Sequence, residues 1–122
     1  MTIAFWCVLI AGLMPLAATV TAKSRKDFDN ARPREWLAKL DGFRARAHAA
    51  QLNSFEALPL FAAAVIIAHL RGASQGTIDL LAMGFIAARI IFIALYLANL
   101  ATLRSLAWLA GMACTVAMFF VP

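Results

Sequence analysis

Four long stretches of this chain are almost free of charge: residues 2–22, about 47–70, 77 to about 100, and about 103–121. Each is close to the roughly 20 residues a helix needs to cross a hydrocarbon layer about 30 Å thick. Inside a bilayer no water satisfies backbone amides, so each stretch must close its own hydrogen bonds, as a helix does. The stretches use up most of the 122 residues, of which 64% are apolar. What is left is one polar connection, 23–42, and two short turns. The expected fold is therefore all-α: a single four-transmembrane-helix bundle over residues 1–122, with helices at about 2–22, 43–70, 77–100 and 103–121. No soluble domain fits, so any function is built within the bundle or on its surface.

Charge orients the bundle. Of the eleven Lys and Arg residues, Lys23, Arg25, Lys26, Arg32, Arg34, Lys39, Arg44 and Arg46 lie in the first connection or at the mouth of the second helix. Arg104 joins them from the third connection, whereas the opposite side has Arg71. The positive-inside rule then makes the first and third connections cytoplasmic and puts both termini on the periplasmic or outer side. The first run ends in the small residues Val20-Thr21-Ala22, as a cleavable signal would. Its basic cluster, however, follows the apolar run instead of preceding it, so an uncleaved helix is expected. The net charge of +5 describes a basic face that meets anionic lipid headgroups. Without a soluble recognition module, that charge does not indicate nucleic acid.

Within the first connection Pro33 suits the first turn of a helix, and Trp36, Leu37, Leu40 and Phe43 recur at helical spacing. A short helix lying at the membrane interface is expected there, with Trp36 as its anchor and Asp41 placed to cap the helix that follows. Cys7 and Cys114 fall at similar depth, which leaves both a disulfide and two separate thiols open. His48 and His69 are about 30 Å apart along one helix and cannot share a ligand; no metal site is expected.

The ionisable residues inside the apolar stretches carry most of the functional information. Glu56 and Arg89 each lie roughly 14 to 15 Å below the basic side, on helices running in opposite directions. A charge at mid-helix costs about 2.5 to 3.5 kcal/mol even on the lenient insertion scale, so the two are expected to pair. Such a pair could serve only to dock helices. Its polar company points further. Arg46, Asn53 and Glu56 share one face of the second helix, and Arg89, Phe92, Tyr96 and Asn99 share one face of the third. Both stripes run toward the basic mouth, where Arg104 stands, and together they suggest a site for a polar, anionic molecule. Pro59 and Pro15 each remove a backbone donor and are expected to bend their helices, while Gly84 and Ala88 would let the third helix pack closely against a neighbour.

The run Arg46-Ala-His-Ala-Ala-Gln51-Leu-Asn53-Ser-Phe-Glu56-Ala-Leu-Pro59 closely resembles the second-helix signature of the MAPEG family, the membrane-associated proteins in eicosanoid and glutathione metabolism. Ala88-Arg89, Tyr96 and Leu103-Arg104-Ser105 resemble the family's later marks, and NSFEALPLFAAAV resembles its bacterial branch. The resemblance implies a homotrimer, in a bacterial inner membrane, that binds glutathione as co-substrate at subunit interfaces near the cytoplasmic side. Carried over by motif, Asn53 and Glu56 would hold the glutathione backbone or amino group, with Arg46 and Gln51 beside them. Arg89 would support Glu56, Tyr96 would touch the ligand, and Lys23 or Arg25 would bind a carboxylate. Arg104 would be the catalytic residue, stabilising the thiolate. Two features depart from the family's synthases: Ala49 stands where they carry an arginine, and Phe92 where some carry a second tyrosine.

Two functions follow. One is a glutathione transferase or peroxidase acting on a lipophilic small molecule that enters from the lipid. The other is a non-catalytic membrane scaffold or assembly subunit that keeps the fold.

Overall fold

In the computed structural model, which describes residues 1–23, 27 and 29–122, the chain forms α1 (Ile3–Ala22), α2 (Pro33–Ala38), α3 (Gly42–Leu70), α4 (Gln75–Leu97) and α5 (Ala101–Ala117). A 3₁₀ turn, Met118–Phe120, extends α5. Four of these elements are long and apolar enough to cross a membrane, the last of them running from Ala101 to Phe120. The all-helical bundle expected from the four apolar runs is the fold observed.

Helix ends follow local chemistry. Thr2 caps α1 by accepting the Phe5 amide on its hydroxyl. α3 stops where Gly72 takes a positive φ of 68°, with the Gly72 amide bonded to the His69 carbonyl and the Ala73 amide to that of Ala68. This is a Schellman stop, which needs a left-handed residue just past the helix. α4 ends the same way on Asn99, whose φ is 61°; the Leu100 amide returns to the Leu95 carbonyl and the Asn99 amide to that of Tyr96. α4 therefore ends three residues before the expected Leu100, and Asn99 drops out of the polar stripe assigned to it. The cause is its short polar side chain, which tolerates the left-handed conformation that other non-glycine residues avoid. Asp41 occupies the N-cap position of α3 as expected, but its carboxylate makes no capping bond.

Packing is built on small residues. The face of α1 carrying Ala4, Cys7, Ala11, Pro15, Ala18 and Ala22 is buried, and α1 packs mainly against α3, then α4. On α3 the buried positions include Ala47, Ala50, Ala64 and Ala68. Without a hydrophobic force between helices in lipid, close backbone approach through small side chains supplies much of the association energy. The α4–α5 contact shows this directly. A Cβ placed on Gly84 would lie 3.1 Å from the Cys114 sulfur, and one on Gly111 3.6 Å from the Ala88 methyl. Phe61 and Phe85 stack at 3.9 Å in the middle of the bundle. Cys7 and Cys114 are separate free thiols. Large side chains such as Trp6, Leu9, Leu13, Leu16, Leu106 and Leu109 point outward, an arrangement that suits a lipid solvent.

The end of the bundle away from the basic residues is fastened by polar contacts. Asp79 on α4 accepts the Ala4 amide at 2.9 Å and the Gln75 side-chain amide at 2.8 Å, so a carboxylate meets the positive end of α1. His69 Nδ1 donates to the Val65 carbonyl, Thr2 bonds to the other ring nitrogen at 2.9 Å, and the ring stacks on Phe5. Arg71 donates to the carbonyls of Phe119 and Val121, and the Ser74 amide to that of Pro122.

At the basic end, Leu37 of α2 is buried with Ala22 and Ala47, and Trp36, Leu40 and Leu97 pack against them. A short helix is thus present in the first connection, held by its apolar side. Arg25 lies outside the described residues, and so does Lys26. Lys23 is the C-cap of α1, its amide bonded to the Thr19 carbonyl.

Candidate functional site

Arg89 occupies the centre of the polar region. It is 3% exposed and projects from α4 toward α3, where its Nη2 donates to Asn53 Oδ1 at 2.9 Å and to Ser54 Oγ at 3.3 Å. Ser54 in turn donates to the Ala50 carbonyl at 2.8 Å. The guanidinium carbon also lies 4.1 Å from the centre of the Phe92 ring, where the ring's negative face attracts a cation. Glu56, the expected partner, is exposed and forms no ion pair with Arg89. Asn53 and Ser54 take its place. Glu56 and Arg89 nevertheless both line one inner cavity of about 110 Å³, with Phe85, Trp108, Gly111 and Thr115 among its walls.

The bond from Arg89 fixes how Asn53 is oriented. With Oδ1 occupied by the guanidinium, the Asn53 NH₂ group is left as a pair of donors. Asn53 also lines a larger cavity of about 280 Å³, together with Phe92, Tyr96, Arg104, Ser105 and Trp108. Tyr96 meets Phe92 edge to face at 5.5 Å, and the Arg104 guanidinium lies 4.2 Å above the Tyr96 ring. Two cations and two aromatic rings thus form a continuous line from Arg89 in the bundle interior to Arg104 at the mouth. Arg104 is the cation lining the outer cavity, and it offers up to five N–H donors with no acceptor.

The structure divides the remaining candidates. Arg46 is turned aside: its Nε donates to the Leu97 carbonyl at 3.2 Å, which ties α3 to the end of α4. Gln51 lines neither cavity. It hydrogen-bonds His48 at 3.3 Å and faces a separate groove beside α2. The outer cavity therefore gathers Asn53, Tyr96 and Arg104 from the expected set, with Arg89 behind Asn53 and Glu56 in the adjoining inner cavity.

Trp108, in the cavity walls, and Ser54, behind them as a partner of Arg89, carry weaker sequence signals. Trp108 lines both cavities; its signal was its position four residues after Arg104, on the same face of α5. Ser54 was adjacent to the motif asparagine and unremarkable in type, and only its burial reveals it.

The outer cavity is an open recess with amide donors on one wall, an aromatic floor and a guanidinium at its rim, an arrangement suited to an anionic ligand with peptide-like groups. No curated protein and no solved structure matches the chain, whereas the MAPEG family model matches residues 3–122. That match takes in every helix and every residue of the two cavities, and it agrees with the four membrane-spanning elements. The chain is an integral membrane protein that belongs to the MAPEG family, the membrane proteins of glutathione and eicosanoid metabolism.

Proposed function

We propose that the protein is a glutathione-dependent membrane enzyme, a transferase or peroxidase that presents a glutathione thiolate to lipophilic electrophiles or peroxides dissolved in the bilayer. The observation that carries this reading is Arg104 seated over Tyr96 at the rim of the cavity that Asn53 lines. A guanidinium beside a thiol favours the thiolate, and the thiolate is the nucleophile. In this reading the Asn53 donors take a peptide carbonyl of glutathione, Tyr96 packs against the tripeptide, and Glu56 receives its ammonium group. Arg89 acts through Asn53 by holding its amide orientation. The electrophile comes from the lipid side; the thiolate sulfur bonds to its electrophilic carbon as a leaving group departs with the electron pair, or, with a peroxide, bonds to one oxygen as the O–O bond breaks and the other oxygen leaves as the alcohol after protonation, a second glutathione then giving the disulfide and water.

Glutathione carries two carboxylates in addition to its thiol, and one cation lines the outer cavity. Lys23 and Arg25, contributed by a neighbouring subunit of a homotrimer, are the proposed partners for a carboxylate. The basic end faces the cytoplasm, where glutathione is available, and the termini face the periplasm of a bacterial inner membrane; the distribution of basic residues supports this orientation. Detergent-purified protein titrated with glutathione, with heat and ultraviolet thiolate absorbance followed together, tests the proposal. Saturable heat with a rise in thiolate absorbance is expected, and absence of heat up to millimolar glutathione overturns it.

A second reading has its own support. The Arg89 bonds to Asn53 and Ser54 join α4 to α3 as an internal fastening, which a non-catalytic scaffold would keep equally well. Binding of glutathione without thiolate absorbance favours that reading.

A further inference from the structure

Trp108 lines both the outer and the inner cavity, yet it holds none of the groups of glutathione in the function proposed above. We propose that Trp108 selects the second substrate, favouring electrophiles whose departing atom is oxygen, hydroperoxides above all, by donating its indole N–H to that oxygen. The proposal rests on the glutathione thiolate reading and names the class of acceptor that the thiolate attacks.

The fourth span, Ala101–Phe120, has 20 residues, about 30 Å at 1.5 Å per residue, which matches the hydrocarbon layer with no surplus. Its first residues therefore lie at the hydrocarbon boundary, and Trp108 lies about 10 Å inside it. Membrane tryptophans are concentrated at headgroup level, where water and lipid oxygens can take the indole N–H. At 10 Å depth the lipid offers no acceptor, and an unsatisfied donor in hydrocarbon is costly. Trp108 has no hydrogen-bond partner among the described residues. Its N–H must therefore be met from within the cavity that the ring lines.

Trp108 stands one turn beyond Arg104, about 6 Å deeper along the same face of α5, and both border the outer cavity. The other donors of that cavity are committed. Arg104 faces the thiolate, the Asn53 amide takes a glutathione carbonyl, and Ser105 donates to the Ala101 carbonyl. Tyr96 lies under Arg104 and beside Phe92, nearer the mouth. Trp108 is itself 37% exposed, with exposed Leu106 and Leu109 as neighbours on α5, so it stands where the outward apolar surface of the helix meets the cavity. When the thiolate sulfur bonds to one peroxide oxygen, the O–O electron pair passes to the other oxygen, which becomes an alkoxide. The alkoxide then takes a proton from water at the cavity mouth, balancing the proton that the thiol gave to water. An N–H beside that oxygen stabilises the charge as it grows, and the indole keeps its own proton throughout. A departing chloride, already a weak base, gains little from the same donor.

The test gives detergent-purified full-length protein glutathione with either cumene hydroperoxide or benzyl chloride, single-ring substrates that lose oxygen and chloride respectively. Trp108→Phe keeps an aromatic face and removes the N–H. Its kcat/KM for the hydroperoxide should fall about tenfold, short of the roughly hundredfold loss for an enclosed oxyanion donor because Trp108 is 37% exposed. Its kcat/KM for benzyl chloride should fall less than about twofold. Tyr96→Phe, whatever it does to glutathione binding, should change the ratio of the two values less than about twofold. A second readout needs no turnover: the NMR signal of the indole N–H that is missing from Trp108→Phe should shift in wild type with cumyl alcohol, the product, and stay in place with cumene, which lacks the oxygen. Equal losses for the two substrates, a ratio that moves as far with Tyr96→Phe, or an indole signal moved equally by alcohol and hydrocarbon would each overturn the proposal. Retained turnover with an unchanged ratio overturns it alone, whereas absence of thiolate absorbance and of turnover with both substrates overturns the glutathione reading and this proposal together. Thermal melting shows whether Trp108→Phe is folded, and where it is not, the wild-type indole shift decides.

Discussion

Replacing Asn53 and Arg89 singly and together isolates the contact on which the polar region is organised. The Arg89 to Asn53 bond is 2.9 Å long and its donor is 3% exposed. Hydrogen bonds to charged groups contribute about 1.5 to 3 kcal/mol in water-soluble proteins. Interhelical bonds in membranes average only about 0.6 kcal/mol, with a maximum near 1.7, because the separated helices find other partners. A charged donor at short distance belongs at the upper end of the membrane range, so a coupling energy of about 1.5 kcal/mol is expected between Asn53→Ala and Arg89→Leu. Residual bonding of Arg89 to Ser54 and to the Phe92 face keeps Asn53→Ala folded. The assay is unfolding in mixed micelles, followed by circular dichroism across a denaturing-detergent series, for wild type, both single variants and the double variant. The same cycle with Glu56→Ala is the control: Glu56 is exposed and makes no ion pair with the guanidinium, so its coupling should be smaller than that of Asn53. A coupling to Glu56 larger than that to Asn53 would refute the partner assignment, and with it the orientation claimed for the Asn53 amide.

Three further outcomes follow from packing and capping. Gly84→Val should destabilise the bundle by about 1 to 3 kcal/mol through overpacking, since even a methyl group there would stand 3.1 Å from the Cys114 sulfur; Cys114→Ala in the same chain should restore part of the thermal midpoint. Asp79→Ala removes the acceptor of the Ala4 amide and should cost about 1 kcal/mol, the usual worth of an N-terminal cap, with glutathione affinity measured by calorimetry unchanged. Cys7 and Cys114 are free thiols, so the intact mass should be the same with and without reductant.

The fold was legible because a bilayer forces each apolar run to become a helix, and counting residues against membrane thickness then locates the runs. Ends were less legible. Asn99 continues the spacing of Arg89 and Tyr96, and nothing in the pattern says that it will adopt a left-handed turn and stop α4. The site was partly legible for a similar reason. Depth arithmetic brought Arg89 to the right level on α3, but Asn53 and Glu56 differ in depth by only about 4.5 Å, less than the reach of an arginine side chain. Charge favoured Glu56, whereas helix rotation turned Asn53 and Ser54 toward α4 and left Glu56 exposed. Gln51 shows the same effect: two residues from Asn53 in sequence, it points about 200° away around the helix and faces the α2 groove. Rotation about the helix axis is set by side-chain packing across the whole bundle, which no single helix records.

The thiolate difference spectrum, measured on wild type and Arg104→Ala at saturating glutathione, tests the proposed function most directly. Wild type should show a rise in thiolate absorbance on binding. Arg104→Ala should keep the heat of binding, because Asn53 and Tyr96 still line the cavity, and lose the absorbance. The same thiolate signal in both proteins, or none in wild type, would contradict the role given to Arg104.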